Sequence, residues 1–199
     1  MKVGIMGGTF DPIHLGHLAT AESVREIFKL DEILFIPSAR PPHKVERQIT
    51  PEVHRLMMTF LATKSNEFFQ VSPMEFLRDG LSYTLDTMEA LLKKFGAGSE
   101  LFFIIGADSM ADLFKWHKAR ELVSKVHFIA TNRPNVEVDL AEVKNFFGES
   151  AMTHIHPVST PSLEISSTDI RERIKSGRSI KYLVPEVVEE YIIKERLYK

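Results

Sequence analysis

The chain has 199 residues, 44% hydrophobic and 26% charged, with a formal net charge of -2 at pH 7. That is ordinary globular composition, long enough for a substantial core; it excludes a disordered chain, and the near-neutral balance gives no basic field to recommend nucleic acid as a partner. With no cysteine there is neither a disulfide framework nor a thiol nucleophile, and a reducing compartment fits. No signal-peptide pattern precedes the first strand and no apolar run approaches a membrane span, so the expected location is the cytoplasm.

In chain order, Val3 to Met6 is a short apolar run meeting Gly7 and Gly8, as a buried parallel strand does at the carboxyl edge of a sheet. After Pro12, the apolar residues Leu18, Ala21, Val24 and Phe28 recur at helical spacing, which predicts a helix from Leu15 to Lys29 with His17 in its first turn. A strand, a glycine loop and a helix start make a phosphate site, because unpaired N–H groups and the positive end of the helix dipole face whatever sits over the strand. His14 and His17 lie three residues apart at that point, so both imidazoles could face one anion. The competing readings are a solvated or core histidine pair, or a zinc pair that no cysteine or HExxH pattern completes. The loop lacks both the Gly-Lys-Ser/Thr of a P-loop and G-x-G-x-x-G dinucleotide spacing.

Glu32 to Ile36 reads as a second buried strand ended by Pro37, and Pro51 to Lys64 as a helix with Val53, Leu56, Met57, Phe60 and Leu61 on its apolar side. Between them, Ser38 to Arg47 holds Pro41, Pro42, His43 and Lys44, an extended loop that is either an anion-facing flap or a solvated surface. Phe68 to Val71 is the third strand; Ser82 to Phe95 is a helix capped by Ser82, followed by Gly96, with Leu85, Met88, Leu91 and Leu92 buried. Leu101 to Ile105 is the most apolar run and hence a central strand. It ends at Gly106-Ala-Asp108, where the carboxylate is either functional or the N-cap of the next helix.

Met110 to Val123, the segment that follows as that helix, contains the only tryptophan, Trp116, which is either core or a stacking platform for a flat heterocycle. Val126 to Ala130 is a fifth strand, Val138 to Phe147 a short helix, and Met152 to Val158 an edge strand carrying His154 and His156. Ser166, Ser167 and Thr168 form an N-cap cluster ahead of Ile170, and Arg171 one turn in reaches the same anion or simply belongs to a capped helix. Pro185 starts a last helix that buries Val188, Ile192 and Leu197. Alternating strand–helix units predict an α/β fold: a Rossmann-like, doubly wound parallel sheet of five or six strands with helices on both faces. The organisation expected is one domain over 1–199, with a C-terminal helical segment from about 165 to 199 packed on it.

Gly7-Gly-Thr-Phe-Asp-Pro-Ile-His14-Leu-Gly-His17 resembles the His-x-Gly-His signature of the nucleotidyltransferase superfamily, and its longer form is similar to bacterial nicotinate mononucleotide adenylyltransferases. Pro41-Pro-His-Lys44, Ser82-Tyr-Thr84, Ile105-Gly-Ala-Asp108, Trp116, Arg133-Pro134, Ile165-Ser-Ser-Thr168 with Arg171, and Tyr182-Leu-Val-Pro185 resemble that family's motifs in the family's order. Asn135 departs from the glycine common after Arg-Pro. The resemblance implies adenylyl transfer from ATP to nicotinate mononucleotide, with Mg²⁺ carried on the nucleotide and no protein side chain holding a metal. It implies catalytic roles for His14, His17 and Arg171, and an ATP site of Gly7, Gly8, Thr9, Phe10, His14, His17, Gly106, Asp108, Ser166, Ser167, Thr168 and Arg171. The mononucleotide would meet Thr9, Lys44, Tyr83, Thr84, Trp116 and Arg133.

The expected partners are therefore these small molecules, with no nucleic acid or membrane; a homodimer is compatible with the sequence. Two alternatives are carried. A related transferase using a pantetheine, flavin or nicotinamide mononucleotide acceptor would keep the histidine and Ser-Ser-Thr motifs, while a non-enzymatic nucleotide sensor could lose the histidines that are present here.

Overall fold

A computed structural model describes residues 1–40, 49–132, 140–161 and 163–199. Its elements in chain order are β1 (Lys2–Gly8), α1 (Leu15–Phe28), β2 (Glu32–Pro37), α2 (Glu52–Thr63), β3 (Phe69–Val71) and α3 (Thr84–Phe95). There follow β4 (Glu100–Gly106), α4 (Ala107–Ala111), α5 (Ala119–Lys125), β5 (His127–Asn132), α6 (Ala141–Phe147), β6 (Ile155–Ser159), α7 (Ser167–Lys175) and α8 (Glu186–Lys194).

The strands form one parallel sheet in the order β3-β2-β1-β4-β5-β6. The chain winds outward from β1 in one direction, returns, and winds outward from β4 in the other. The reversal between β1 and β4 is the topological switch point, where an open α/β sheet leaves a crevice beyond the carboxyl ends of its strands. Alternation along β1 divides the interior in two: Val3 and Ile5 pack with Leu85, Met88 and Leu91 of α3 and Leu122 of α5, whereas Met6 lies in the cluster built on the other face by α1, α2, α7 and α8. Gly4, between them, is required by space, since a Cβ there would overlap the side chains of Ile33 and Leu30. Ile170 of α7 and Val188 and Ile192 of α8 are buried in this second cluster, with Leu197 half-buried beside them.

Several expected boundaries shift. The predicted apolar side of α2 is turned outward, with Val53 63% exposed, Phe60 53% exposed and Met57 exposed, while Arg55, Met58, Thr59, Ala62 and Thr63 are buried. Arg55 is the cause. It is 1% exposed and donates to the carbonyls of Thr50, Thr9 and Ser38 at 2.9, 2.8 and 2.7 Å, so the polar stripe faces inward with its hydrogen bonds made. Ser82 does not cap α3; its Oγ accepts from the Arg40 backbone N–H at 3.2 Å, and Tyr83 occupies the cap position. Met110 to Val123 is not one helix: α4 gives way to a 3-10 turn over Leu113–Lys115, Trp116 is extended, and Lys118 at φ 51° precedes α5. β6 begins at Ile155 because Glu149–His154 forms a 3-10 segment, so His156 alone of the two histidines lies in the strand, which is the sheet edge as expected. The described part of the helix expected from Val138 begins at Ala141.

Candidate active site

The carboxyl ends of the central strands open onto a cleft of about 1420 Å³. Pockets that hold one drug-sized ligand measure roughly 300–1,000 Å³, so this cleft is larger than a site for one small molecule.

The β1 end of the cleft is built by the first loop. Gly7 is bare because a Cβ would lie 3.2 Å from the Phe103 ring, and Gly8 because it would lie 2.9 Å from that of Phe10. Phe10 adopts a left-handed backbone at φ 48° despite its side chain, which is costly for a bulky residue and needs surrounding support. Its ring supplies that support, buried edge-on against His17 at 5.1 Å and near Phe35 at 6.0 Å.

His14 caps α1, and the His14 and His17 rings stack 3.6 Å apart at 26°. Gly16 makes the stack possible, since a Cβ there would come within 3.0 Å of His14 Nδ1. Burial lowers the His14 pKa to about 4. Burial, and then the charge His14 would carry, hold His17 well below 6.5. Both rings are therefore neutral at pH 7 while nothing anionic faces them. The His14 backbone N–H donates to His17 Nδ1 at 3.2 Å, which assigns the proton of neutral His17 to Nε2 and makes that nitrogen a donor.

The first loop is pinned from behind. Besides Arg55 on the Thr9 carbonyl, Arg171 Nη1 donates to the Asp11 carbonyl at 2.7 Å and Ser167 Oγ to the Pro12 carbonyl at 2.8 Å. The Asp11 carboxylate, itself buried, accepts from the Tyr198 hydroxyl at 2.7 Å and from the Thr50 N–H at 3.3 Å. Burial and the Asp11 charge push the Tyr198 phenol far above its ordinary value, so it remains a donor throughout the working pH range. The Leu15 N–H donates to the Leu183 carbonyl at 3.0 Å, joining the start of α1 to the chain ahead of α8. Ser166 caps α7 by accepting from the Asp169 N–H at 3.1 Å.

The other end of the cleft carries rings. Tyr83 lies 4.4 Å from His117 at 32°, and Trp116, half-buried, meets Phe103 edge-on at 6.0 Å while also lining the cleft. Phe103 thus contacts Trp116 at one end and underlies Gly7 at the other. Asp108 is exposed on the cleft rim in the first turn of α4 and caps no helix.

Of the residues expected from sequence, Gly7, Gly8, Thr9, His14, His17, Tyr83, Thr84, Gly106, Asp108, Trp116, Ser166 and Ser167 line this one cleft. Phe10 is buried outside the lining, and Thr168 and Arg171 do not line the cleft but adjoin Ser166 and Ser167 at its edge, Thr168 Oγ1 accepting from Arg171 Nη2 at 3.3 Å. Lys44, the flap around it, Arg133, Pro134 and Asn135 lie outside the described residues. Sequence reasoning missed Asp11, Arg55 and Tyr198 under the loop, and Glu75, which is buried in the cleft wall. An arginine at helical spacing with Thr59 and Thr63 was the available signal for Arg55; Tyr198 had none.

The comparisons with known proteins agree with this geometry. Residues 5–173 match the cytidylyltransferase-like family model, which sets the class as nucleotidyltransferase. A curated relative from Thermoanaerobacter sp. (strain X514), named a "probable nicotinate-nucleotide adenylyltransferase", is 50% identical over 100% of this chain and 95% of its own. One of the same name from Moorella thermoacetica is 46% identical over 100% of this chain and 92% of its own. The chain belongs to the nicotinate-nucleotide adenylyltransferase family. Its fold is that of Plasmodium falciparum nicotinic acid mononucleotide adenylyltransferase solved in complex with NaAD, at TM-score 0.79 and 22% identity over 99% of this chain and 97% of that one.

Proposed function

We propose that the protein transfers the adenylyl group of ATP to nicotinate mononucleotide, giving nicotinate adenine dinucleotide and pyrophosphate. The observation that carries this reading is the neutral, stacked His14–His17 pair at the start of α1, in one cleft with the Ser166–Ser167 start of α7 and the Trp116–Tyr83 ring pocket. A pantetheine or flavin phosphate would leave that pairing of rings with the start of α3 unused.

An ionised oxygen of the acceptor phosphate attacks the α-phosphorus of ATP, and the bond from that phosphorus to the bridging oxygen breaks as pyrophosphate leaves. No protein nucleophile or proton transfer is needed. The protein positions two anions and meets the charge that builds on the transferring group. In this reading His17 Nε2–H and the α1 and α7 N-termini face the phosphates, Arg171 holds the loop and offers its remaining donors to the triphosphate, and Asp108 meets the ribose or adenine. Thr9, Thr84 and Trp116 take the mononucleotide, with Lys44 and Arg133 as further cations.

The phosphate end offers hydroxyls, imidazoles and N–H groups, which suit phosphate oxygens rather than a bare cation. In this reading Mg²⁺ would arrive on the nucleotide, where it would neutralise phosphate charge. Among the described residues no helix is long and apolar enough to cross a membrane, and with such substrates we place the enzyme in the cytoplasm.

The test is a pyrophosphate-release screen of mononucleotide acceptors against ATP and CTP. Turnover with ATP and nicotinate mononucleotide, well above all other pairs, is the expected result; turnover confined to CTP or to another acceptor refutes the assignment.

A further inference from the structure

Glu75 is 8% exposed and lines the cleft beside the start of α3. One carboxylate oxygen is spoken for: Oε1 accepts from the Thr87 hydroxyl at 2.8 Å, and Thr87 Oγ1 in turn accepts from Arg78 Nη2 at 3.0 Å. The neighbouring Phe76 ring lies 5.4 Å from the Arg55 guanidinium, the same cation that grips Thr9 and Ser38, which ties the backbone next to Glu75 to the first loop. The other oxygen, Oε2, is buried and has no hydrogen-bond partner. A buried carboxylate oxygen with no donor is costly, and protein interiors seldom leave one bare unless a ligand or solvent completes it.

We propose that Glu75 Oε2 accepts a hydrogen bond from a ribose hydroxyl of the mononucleotide and so selects the acceptor for its ribose. This rests on the reading that the α3 side of the cleft takes that substrate. Chemistry identifies the group. The carboxylate and the phosphate of nicotinate mononucleotide are anions that Glu75 would repel, and the pyridine ring carries no N–H or O–H. The ribose hydroxyls are the only neutral donors on the molecule, and a hydroxyl donating to a carboxylate is among the stronger hydrogen bonds. The loss of such a donor leaves the oxygen unpaired again, which is how a polar site rejects an analogue lacking one group.

The experiment compares nicotinate mononucleotide with its 2′-deoxy and 3′-deoxy forms as acceptors, at saturating ATP, in the wild type and in Glu75→Gln. The wild type is expected to lose about tenfold or more in acceptor kcat/KM on at least one deoxy form. Glu75→Gln should raise the KM of the parent acceptor by about tenfold, leave the KM of ATP nearly unchanged, and no longer distinguish that deoxy form. A residue with only a structural role would change stability without erasing the discrimination. Equal use of all three acceptors by the wild type, discrimination that persists in the variant, or a change confined to the KM of ATP overturns the proposal. If Glu75→Gln does not fold, Glu75→Asp, which retracts the oxygen by one methylene, takes its place in the same comparison. Should the screen identify a different mononucleotide, the same comparison on that acceptor's deoxy forms separates the two assignments.

Discussion

At the β1 end of the cleft, Thr9, Asp11 and Pro12 each present a carbonyl to a side chain from α2 or α7, and Asp11 adds its carboxylate to a hydroxyl near the C-terminus. At the α3 end, Tyr83 packs on His117 and Trp116 meets Phe103 edge-on, so these contacts are made through ring faces and edges. The first end is held by directional hydrogen bonds from distant parts of the chain, several of them charged. The second offers area and shape. Directional groups fixed before the reaction stabilise charge that builds during it and so act on kcat, whereas flat apolar surface binds ground and transition states alike and acts on KM. Substitutions at the two ends should therefore separate in kinetics.

The largest effect is expected beneath the pinned end. Arg55→Met strips three half-buried carbonyls of their donor and leaves the Asp11 carboxylate with less positive charge nearby, so the protein should lose about 3 kcal/mol or more of stability, read from urea midpoints. Unchanged stability would mean that the loop is held by something else.

His17→Ala should come next, lowering kcat by roughly 10² or more with less change in the KM of ATP, since a hydrogen bond to a charged group is worth about 1.5–3 kcal/mol and more if it tightens in the transition state. A near-normal kcat removes His17 from the phosphate site. The same two rings give a pH signature. Their pKa values are lowered in the free protein, so placing phosphate beside them raises those values again. Protons are then taken up on binding, and ATP should bind more tightly at pH 6 than at pH 8, measured as the pH dependence of its Kd. The reverse slope would contradict the neutral pair. For the free protein the sign is opposite: the unfolded chain binds protons at 6.5 that His14 refuses until about 4, so this contribution to stability is whole above 6.5 and is lost as pH falls toward 4.

Arg171→Lys keeps the charge and loses the fork that spans the Asp11 carbonyl and Thr168. It should weaken ATP use about tenfold with little change in the acceptor KM. Unchanged ATP dependence would leave Arg171 as a brace for α7.

The same contrast explains what the sequence shows and what it hides. The β1–loop–α1 unit is legible because its signals are local: an apolar run, two glycines, a helical period, and a histidine pair whose spacing matches one helix turn. The sheet follows from the alternation of such units. The inward face of α2 is not legible, because Arg55 is buried by carbonyls at Thr9 and Ser38, brought to it only by the fold. Ser82 reads as a cap but is claimed by Arg40, 42 residues away. Glu75, Asp11 and Tyr198 acquire their roles only through such contacts. Trp116 is legible as either core or platform, and in the fold its ring both meets Phe103 and lines the cleft.

Trp116 is also the only tryptophan, so its fluorescence reports directly on whether the cleft has two separate ends. Titration of the protein with nicotinate mononucleotide should quench or shift this emission saturably, with the same Kd in His17→Ala, and Trp116→Ala should raise the KM of the mononucleotide several-fold while that of ATP stays nearly constant. Emission that ignores the mononucleotide and answers to ATP, or a Trp116→Ala protein that melts early yet binds the acceptor normally, would contradict the division of the cleft.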